Sequence, residues 1–408
     1  MTTTVPVPTD EWADRYASRV ESMRSSAVRD LFEAASRSDM ISLSGGMPDV
    51  RKLPLAEVAE VAANAVLQEG IAGLQYGDTQ GRLQTKELIC EFMKDLDVQI
   101  TPNDLTVTTG GQQALDLLAK TFIDPGDIII TEGPTYLGAL QAFSAYQPRV
   151  ISIDMDENGL QTDLLEAELA RLGKRQVKFL YTVPDFNNPA GVTMSLERRQ
   201  HLIRLMHEYE FVVIEDDPYG RLRFEGDPVP RLRALDDRVI YVGTVSKMFA
   251  PGLRTGWVIA PLPIRQKMNL VKQGTDLCGS ALCQVIVEHY FNTTDWRTVL
   301  DSMIDKYHER RDALVTALAD YFPKEASWTY PAGGFFIWVT LPENINTQQL
   351  LTAALDKGVT FVPGDGCYPA ESGRGKNCMR LAFCYEEPEA IREAIRRLAL
   401  VIEESMQQ

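Results

Sequence analysis

The 408-residue sequence predicts an α/β fold: a mostly parallel sheet of seven strands between helices, plus a smaller α+β part built from both ends of the chain. From about residue 55 to 300, helical stretches alternate with short apolar strands, which is the rhythm of a parallel sheet with helices on both faces. The last hundred or so residues leave that rhythm, with a long polar helix followed by a strand pair. The length is ample for a large core and leads us to expect two domains.

In chain order, residues 11–40 are charged and helical in period. The stretch Ile41-Ser42-Leu43-Ser44-Gly45-Gly46-Met47-Pro48 breaks that pattern with a short strand and a Gly-Gly turn. Seven strands are expected at Thr106–Thr108, Ile128–Thr131, Val150–Ile153, Phe179–Val183, Val212–Glu215, Val239–Val242 and Trp257–Ala260, each short, apolar and bounded by turn formers. A helix is expected over Trp296–Tyr321, then strands around Phe335–Thr340 and Met379–Ala382. We expect residues 56–299 to form the large domain, and residues 1–55 with 300–408 the small, discontinuous one. No internal repeat or low-complexity tract interrupts the chain.

A net charge of −16 opposes binding to a nucleic-acid backbone, which needs clustered Lys and Arg. Hydrophobic content of 45% and charged content of 24% are ordinary for a globular protein. No apolar run approaches the roughly 20 residues that span a bilayer, and Met1–Asp10 lacks the basic and apolar regions of a signal peptide. The six cysteines form no C-x-x-C pair and there are four histidines, so no metal site is expected and reduced thiols are. A cytoplasmic protein without membrane or nucleic-acid partners is the expectation.

Five segments could carry chemistry. Thr106 to Leu115 reads as a strand, the glycine turn Gly110-Gly111 and an amphipathic helix; free amides at such a helix start bind phosphate, although a plain strand-to-helix turn looks the same. Neither dinucleotide nor P-loop glycine spacing occurs. Glu215-Asp216-Asp217-Pro218-Tyr219 puts acids at the C-terminal end of a strand, where ligands of open α/β sheets gather; they could hold magnesium, hold an organic cofactor or be solvated. Asn187-Asn188-Pro189-Ala190-Gly191 is either turn chemistry or an asparagine aimed at a ring oxygen. Lys247 follows the strand Val239–Val242 among small residues, with Arg254 seven positions on; that suits an amine forming an imine with a phosphorylated aldehyde, or a solvated loop lysine. Arg380, inside an apolar strand, needs a carboxylate, either an internal acid or a bound substrate.

In this order the segments resemble the class I/II aminotransferases of PLP fold type I, nearest the subgroup with 2-aminoadipate, aromatic and kynurenine-type aminotransferases. The likeness runs from about Ser26 to Leu398. It is carried by Ser44-Gly45-Gly46-Met47-Pro48-Asp49, Leu74-Gln75-Tyr76-Gly77, Gln112 to Asp116, Glu215 to Gly220, Lys247 with Pro251-Gly252-Leu253-Arg254, and Pro331 to Phe335. The resemblance implies pyridoxal 5′-phosphate held by Lys247, which also moves the proton between Cα and C4′. It implies Asp216 on the pyridine nitrogen, Tyr219 and Asn188 on the phenolic oxygen, and Tyr136 over the ring. The phosphate falls to Arg254, the Gly110-Gly111 turn with the amides of Gly111 and Gln112, and the hydroxyls of Thr244 and Ser246. Tyr76 would reach the phosphate of a neighbouring subunit, making a homodimer. Arg380, Gly46 and Asn188 would bind the substrate, Arg380 as a planar fork on the α-carboxylate. Arg29, in the segment Ser26–Leu31 that would close over the substrate, would hold a distal carboxylate or else pair locally with Asp30 or Glu33.

Two positions depart from the pattern: Gly111 stands where relatives commonly carry Ser, and Ala190 where they carry Thr. Both touch affinity and leave the reacting groups intact. The implied activity is ping-pong transfer of an amino group to a 2-oxo acid, 2-oxoglutarate first, from 2-aminoadipate, an aromatic or a branched-chain amino acid. A lyase or decarboxylase on the same fold would use Lys247 and Asp216 too. A cofactor-sensing transcription regulator would need a DNA-binding domain before the Ser-Gly-Gly turn, and 43 residues precede that turn. A Ser-x-x-Lys hydrolase fails because residue 244 is Thr.

Overall fold

The computed structural model describes residues 10–21, 23 and 40–407. The helix-periodic stretch expected over 11–40 lies largely outside them, as does Arg29. Strand β1 (Ile41–Ser42) comes first and is followed by the large sheet: β2 (Leu105–Thr108), β3 (Ile128–Gly133), β4 (Arg149–Asp156), β5 (Gly159–Leu160), β6 (Val177–Thr182), β7 (Val212–Asp216), β8 (Ile240–Thr244) and β9 (Gly256–Ile259), in spatial order β2-β9-β8-β7-β6-β3-β4-β5. Strands β4, β3, β6, β7 and β8 run parallel, and β9 lies antiparallel between β8 and β2. All seven expected strands are present. The eighth, β5, is a two-residue hairpin return of β4, too short to show a period of two in sequence.

Strand alternation divides the core. Ile129, Phe179, Tyr181 and Ile214 pack on one face of the sheet with helix Gly110–Phe122. Their neighbours Ile130, Leu180 and Val213 pack on the other with helices Thr162–Leu172 and Leu196–Tyr209. With both faces covered, the central parallel strands are mostly apolar, and most of their few polar groups are buried and hydrogen-bonded.

The C-terminal part carries an antiparallel sheet of β10 (Ser327–Trp328), β11 (Phe336–Thr340), β13 (Val362–Pro363) and β14 (Cys378–Ala382), ordered β10-β11-β14-β13. Helix Trp296–Tyr321 packs on helix Pro388–Met406 beside it. The N-terminal segment is tied to this part by a strand pair and by a buried ion pair, among other bonds. Strand β1 pairs in parallel with β12 (Val359–Thr360). Arg310, fully buried on the long helix, donates to Asp49 at 2.9 Å, with Arg51 gripping the same carboxylate. Arg310 also reaches Glu387 at 2.8 Å, so the two cations and two acids form a network that ties the N-terminal segment to the long helix. Among the described residues no helix is long and apolar enough to cross a membrane.

Candidate active site

The C-terminal ends of β6, β7 and β8 open onto a cavity of ≈ 360 Å³. Asp216 closes β7, and Lys247 sits three residues beyond β8 because the buried Val245, Met248 and Phe249 anchor the turn around it. Lys247 Nζ donates to the Gly46 carbonyl at 2.8 Å, and burial pulls its pKa down to about 8. Asp216 accepts the Tyr181 hydroxyl at 2.8 Å, and burial pushes its carboxyl up to about 7.

Register explains why one acid of three faces the cavity. Tyr181 pairs with Ile214 and Thr182 with Glu215, so Tyr181, Ile214 and Asp216 share a face while Glu215 points to the other. There Glu215 accepts the amides of Leu232 and Arg233, both at 2.8 Å. Asp217 is taken by Arg231 Nε at 2.7 Å and the Tyr241 hydroxyl at 3.0 Å. The three carboxylates do not converge, which removes the magnesium reading.

On the small-sheet side, Arg380 projects from β14 and lies 4.2 Å over the Phe336 ring. The internal acid considered for it is absent among the described residues. Its guanidinium donates to Asn188 Oδ1 at 2.9 Å and to the Ser44 carbonyl at 2.6 Å, and its Nε has no partner. Burial lowers its pKa. A buried cation without a counter-ion is the condition that a ligand carboxylate would relieve. The Asn188 amide lies 3.5 Å from the Tyr219 hydroxyl, so these two polar groups and Arg380 form one cluster.

The opposite end suits an anion. Gly110 starts the helix with φ +76°, and a Cβ there would lie 2.4 Å from Arg254 Nη2; only glycine lets that guanidinium sit against the helix start. Gly256 is equally obligatory, since its Cβ would come 2.7 Å from the Gly110 carbonyl carbon. Gly111, Gln112 and Arg254 line the cavity there, with the Thr244 and Ser246 hydroxyls 2.8 Å apart. Arg254 pairs with no carboxylate among the described residues; its Nη1 donates to the Pro251 carbonyl at 3.2 Å. The Tyr136 ring lies against Gly138, beside Gln112, and also lines the cavity.

The cavity thus gathers Lys247, Asp216, Tyr219, Asn188, Gly111, Gln112, Tyr136, Thr244, Ser246, Arg254, Arg380 and Gly46. Gly110 stands behind it under Arg254. Tyr76 is 79% exposed and does not line this cavity. Tyr181 and Phe336 escaped sequence reasoning; the signal for Tyr181 was a hydroxyl within a mostly apolar strand, which needs a partner when buried.

An amine of depressed pKa, a buried carboxyl, an anion cradle and an unpaired buried guanidinium fit a phosphorylated pyridine aldehyde and an amino-acid carboxylate, which together define a pyridoxal-phosphate enzyme. The family model of class I and II aminotransferases matches residues 38–398, and the chain belongs to that family. It is 42% identical to "Aromatic-amino-acid aminotransferase 1" of Thermococcus litoralis over 98% of this chain and 96% of that protein. It superposes with TM-score 0.92 on a Pyrococcus horikoshii kynurenine aminotransferase in complex with PMP, at 40% identity over 98% of this chain and 99% of that one. A Thermus thermophilus α-aminoadipate aminotransferase complexed with N-(5′-phosphopyridoxyl)-L-leucine gives TM-score 0.89 and 33% identity, over 97% and 99%. The protein is a pyridoxal-phosphate-dependent aminotransferase of fold type I.

Proposed function

We propose that the enzyme moves the amino group of an L-amino acid to a 2-oxo acid in two ping-pong half-reactions, with 2-oxoglutarate as acceptor. The proposed donor is 2-aminoadipate, an aromatic or a branched-chain amino acid. The observation that supports this best is the Arg380 guanidinium, buried without an acid, on the cavity that Lys247 also lines. Relatives named for aromatic, kynurenine and α-aminoadipate substrates support the range of donors.

When bound, pyridoxal phosphate supplies an aldehyde that condenses with amines and a ring that takes up the electron pair of a broken Cα–H bond. Lys247 would hold it through Nζ and would move the substrate's Cα proton on that nitrogen; burial lowers the amine to about 8, so a larger share of it is a free base near neutral pH than for an ordinary lysine. Asp216 would face the pyridine nitrogen and favour its protonated form, with Tyr181 donating to the same carboxylate. Asn188 and Tyr219 would hydrogen-bond the phenolic oxygen, and Tyr136 would cover the ring. Arg254, the Gly110-Gly111 turn, Gln112, Thr244 and Ser246 take the phosphate. Arg380 forks the α-carboxylate and the Gly46 amide assists it. Arg29 takes the distal carboxylate of an acidic substrate.

The functional unit is a homodimer in which Tyr76 reaches the neighbour's phosphate. Tyr76 at 79% exposed, with Ile71 at 83% and Leu74 at 66%, makes an apolar surface that a second subunit would cover. Residues 1–55 with 300–408 act as one domain against 56–299.

A panel of amino acids added to the cofactor-loaded enzyme tests this. Stoichiometric conversion of the cofactor to its pyridoxamine form, reversed by 2-oxoglutarate, is expected. A donor consumed without that conversion would make the enzyme a lyase or decarboxylase. A preference for acidic donors that survives Arg29→Ala would remove Arg29 from substrate binding.

A further inference from the structure

Glu132 has no part in the chemistry above, yet three donors are aimed at it. This carboxyl near the end of β3 is 1% exposed. Its Oε1 accepts the Thr182 hydroxyl at 2.6 Å; its Oε2 accepts the Val183 amide at 2.9 Å and Asn187 Nδ2 at 2.6 Å. Among the described residues no Lys or Arg forms an ion pair with it.

The bond to Asn187 matters because this asparagine is the hub of the loop. Its Oδ1 accepts the Ala190 amide at 3.0 Å, its carbonyl accepts the Gly191 amide at 2.6 Å, and its own amide donates to the Val192 carbonyl at 2.9 Å. Gly191, at φ +71°, is pressed so close to β11 that a Cβ would lie 2.4 Å from the Phe336 carbonyl. The next residue along from the hub, Asn188, is the one that Arg380 grips. No β-ladder fixes residues 183–191, so the Glu132 carboxylate is the side chain of the parallel sheet that ties the loop back to it.

We propose that Glu132 is a positioning residue: it clamps the Asn187–Gly191 loop and thereby sets where the Asn188 amide meets both Arg380 and the cofactor's phenolic oxygen. This rests on the role given to Asn188 above. Burial pushes the Glu132 carboxyl up to about 7, so the three hydrogen bonds, more than a fixed charge, are its contribution.

The test compares Asn188→Ala, Glu132→Ala, Glu132→Gln and Asn187→Ala in the cofactor-loaded enzyme. Two readouts are followed: the pH titration of the Lys247-bound chromophore, and KM against kcat for the amino donor. Gln can keep the clamp, its oxygen accepting from Val183 and Asn187 while its amide donates to the Thr182 oxygen. Glu132→Ala should move the chromophore titration in the same direction as Asn188→Ala and raise KM about ten-fold, with a smaller fall in kcat. Glu132→Gln should stay near the parent, and Glu132→Ala with Asn187→Ala should be no worse than either alone, because both cut one link. Should Glu132→Ala not fold, Asn187→Ala makes the same cut from the loop side. The clamp is overturned if Glu132→Ala, or Asn187→Ala in its place, keeps the parental titration and KM while Asn188→Ala shifts both. Gln as damaging as Ala would equally overturn it, in favour of a charge effect. An Asn188→Ala enzyme with parental values would show that the role of Asn188 itself has failed, and the clamp with it.

Discussion

Replacing Asp216 by Asn should separate the stability of this enzyme from its chemistry. Burial raises the Asp216 carboxyl from 3.8 to about 7, so between those values the folded, cofactor-free protein holds a proton that the unfolded chain has released. A raised folded-state pKa contributes stability that is fully present below 3.8 and is lost as the pH climbs to about 7. At about 1.36 kcal/mol per unit, a shift from 3.8 to 7 is worth about 4 kcal/mol, and the part above pH 5 about 3 kcal/mol. Asn carries no charge and still offers the Tyr181 hydroxyl an acceptor oxygen. Cofactor-free Asp216→Asn should therefore gain on its parent by about 3 kcal/mol between pH 5 and pH 8, read as the change in the difference between their urea-unfolding free energies. With the cofactor bound the sign reverses, since the carboxylate then has a ring N–H to face. Cofactor release should quicken, and conversion by amino acids should slow by about two orders of magnitude or more. A stability difference that does not vary with pH would refute the burial argument; parental conversion rates would refute the pairing with the ring nitrogen.

The same geometry sets three further outcomes. Capture of pyridoxal phosphate by the cofactor-free protein should rise with pH and level off above about 8; at pH 7 about one Lys247 in ten is a free amine, against about three in ten thousand at the ordinary 10.5, and a profile still climbing towards pH 10 would contradict the depressed pKa. Arg380→Lys should raise KM for donor and 2-oxo acid alike by about a hundred-fold, since a point charge replaces a planar fork and the bond to Asn188 is lost; an effect on one substrate alone would mean the α-carboxylate is held elsewhere. Gly110→Ala puts a Cβ 2.4 Å from the Arg254 guanidinium at φ +76°, so cofactor retention during dialysis against phosphate should drop about ten-fold or more with the fold unchanged; parental retention would exclude this turn from the phosphate site.

The sequence made the seven large strands legible because each is short and bounded by turn formers and all but β4 are buried on both faces, and left β5, β12 and β13 hidden because two residues show no period. The same double burial limits what can be read about the site. In a half-exposed strand, polarity marks which residues face inward; β7 is apolar on both faces, so nothing in Val212-Val213-Ile214-Glu215-Asp216-Asp217 says which acid meets the cavity. That choice is made by register with β6, where Tyr181 sits on the face of Ile214 and Asp216. Glu132 and Tyr181 were missed for a related reason, as each is a polar group in a mostly apolar strand whose partner lies 35 to 55 residues away. Register also decides between the cofactor and the magnesium readings of the acidic run. Neighbouring residues of a strand point to opposite faces, so Asp216 and Glu215 cannot close on one ion without breaking the pleat. Glu215 and Asp217 share a side, but two backbone amides, Arg231 and Tyr241 already fill their oxygens. What is left facing the cavity is one carboxylate beside one lysine, an arrangement that can hold a proton on a ring nitrogen but has too few oxygens to hold a hard cation.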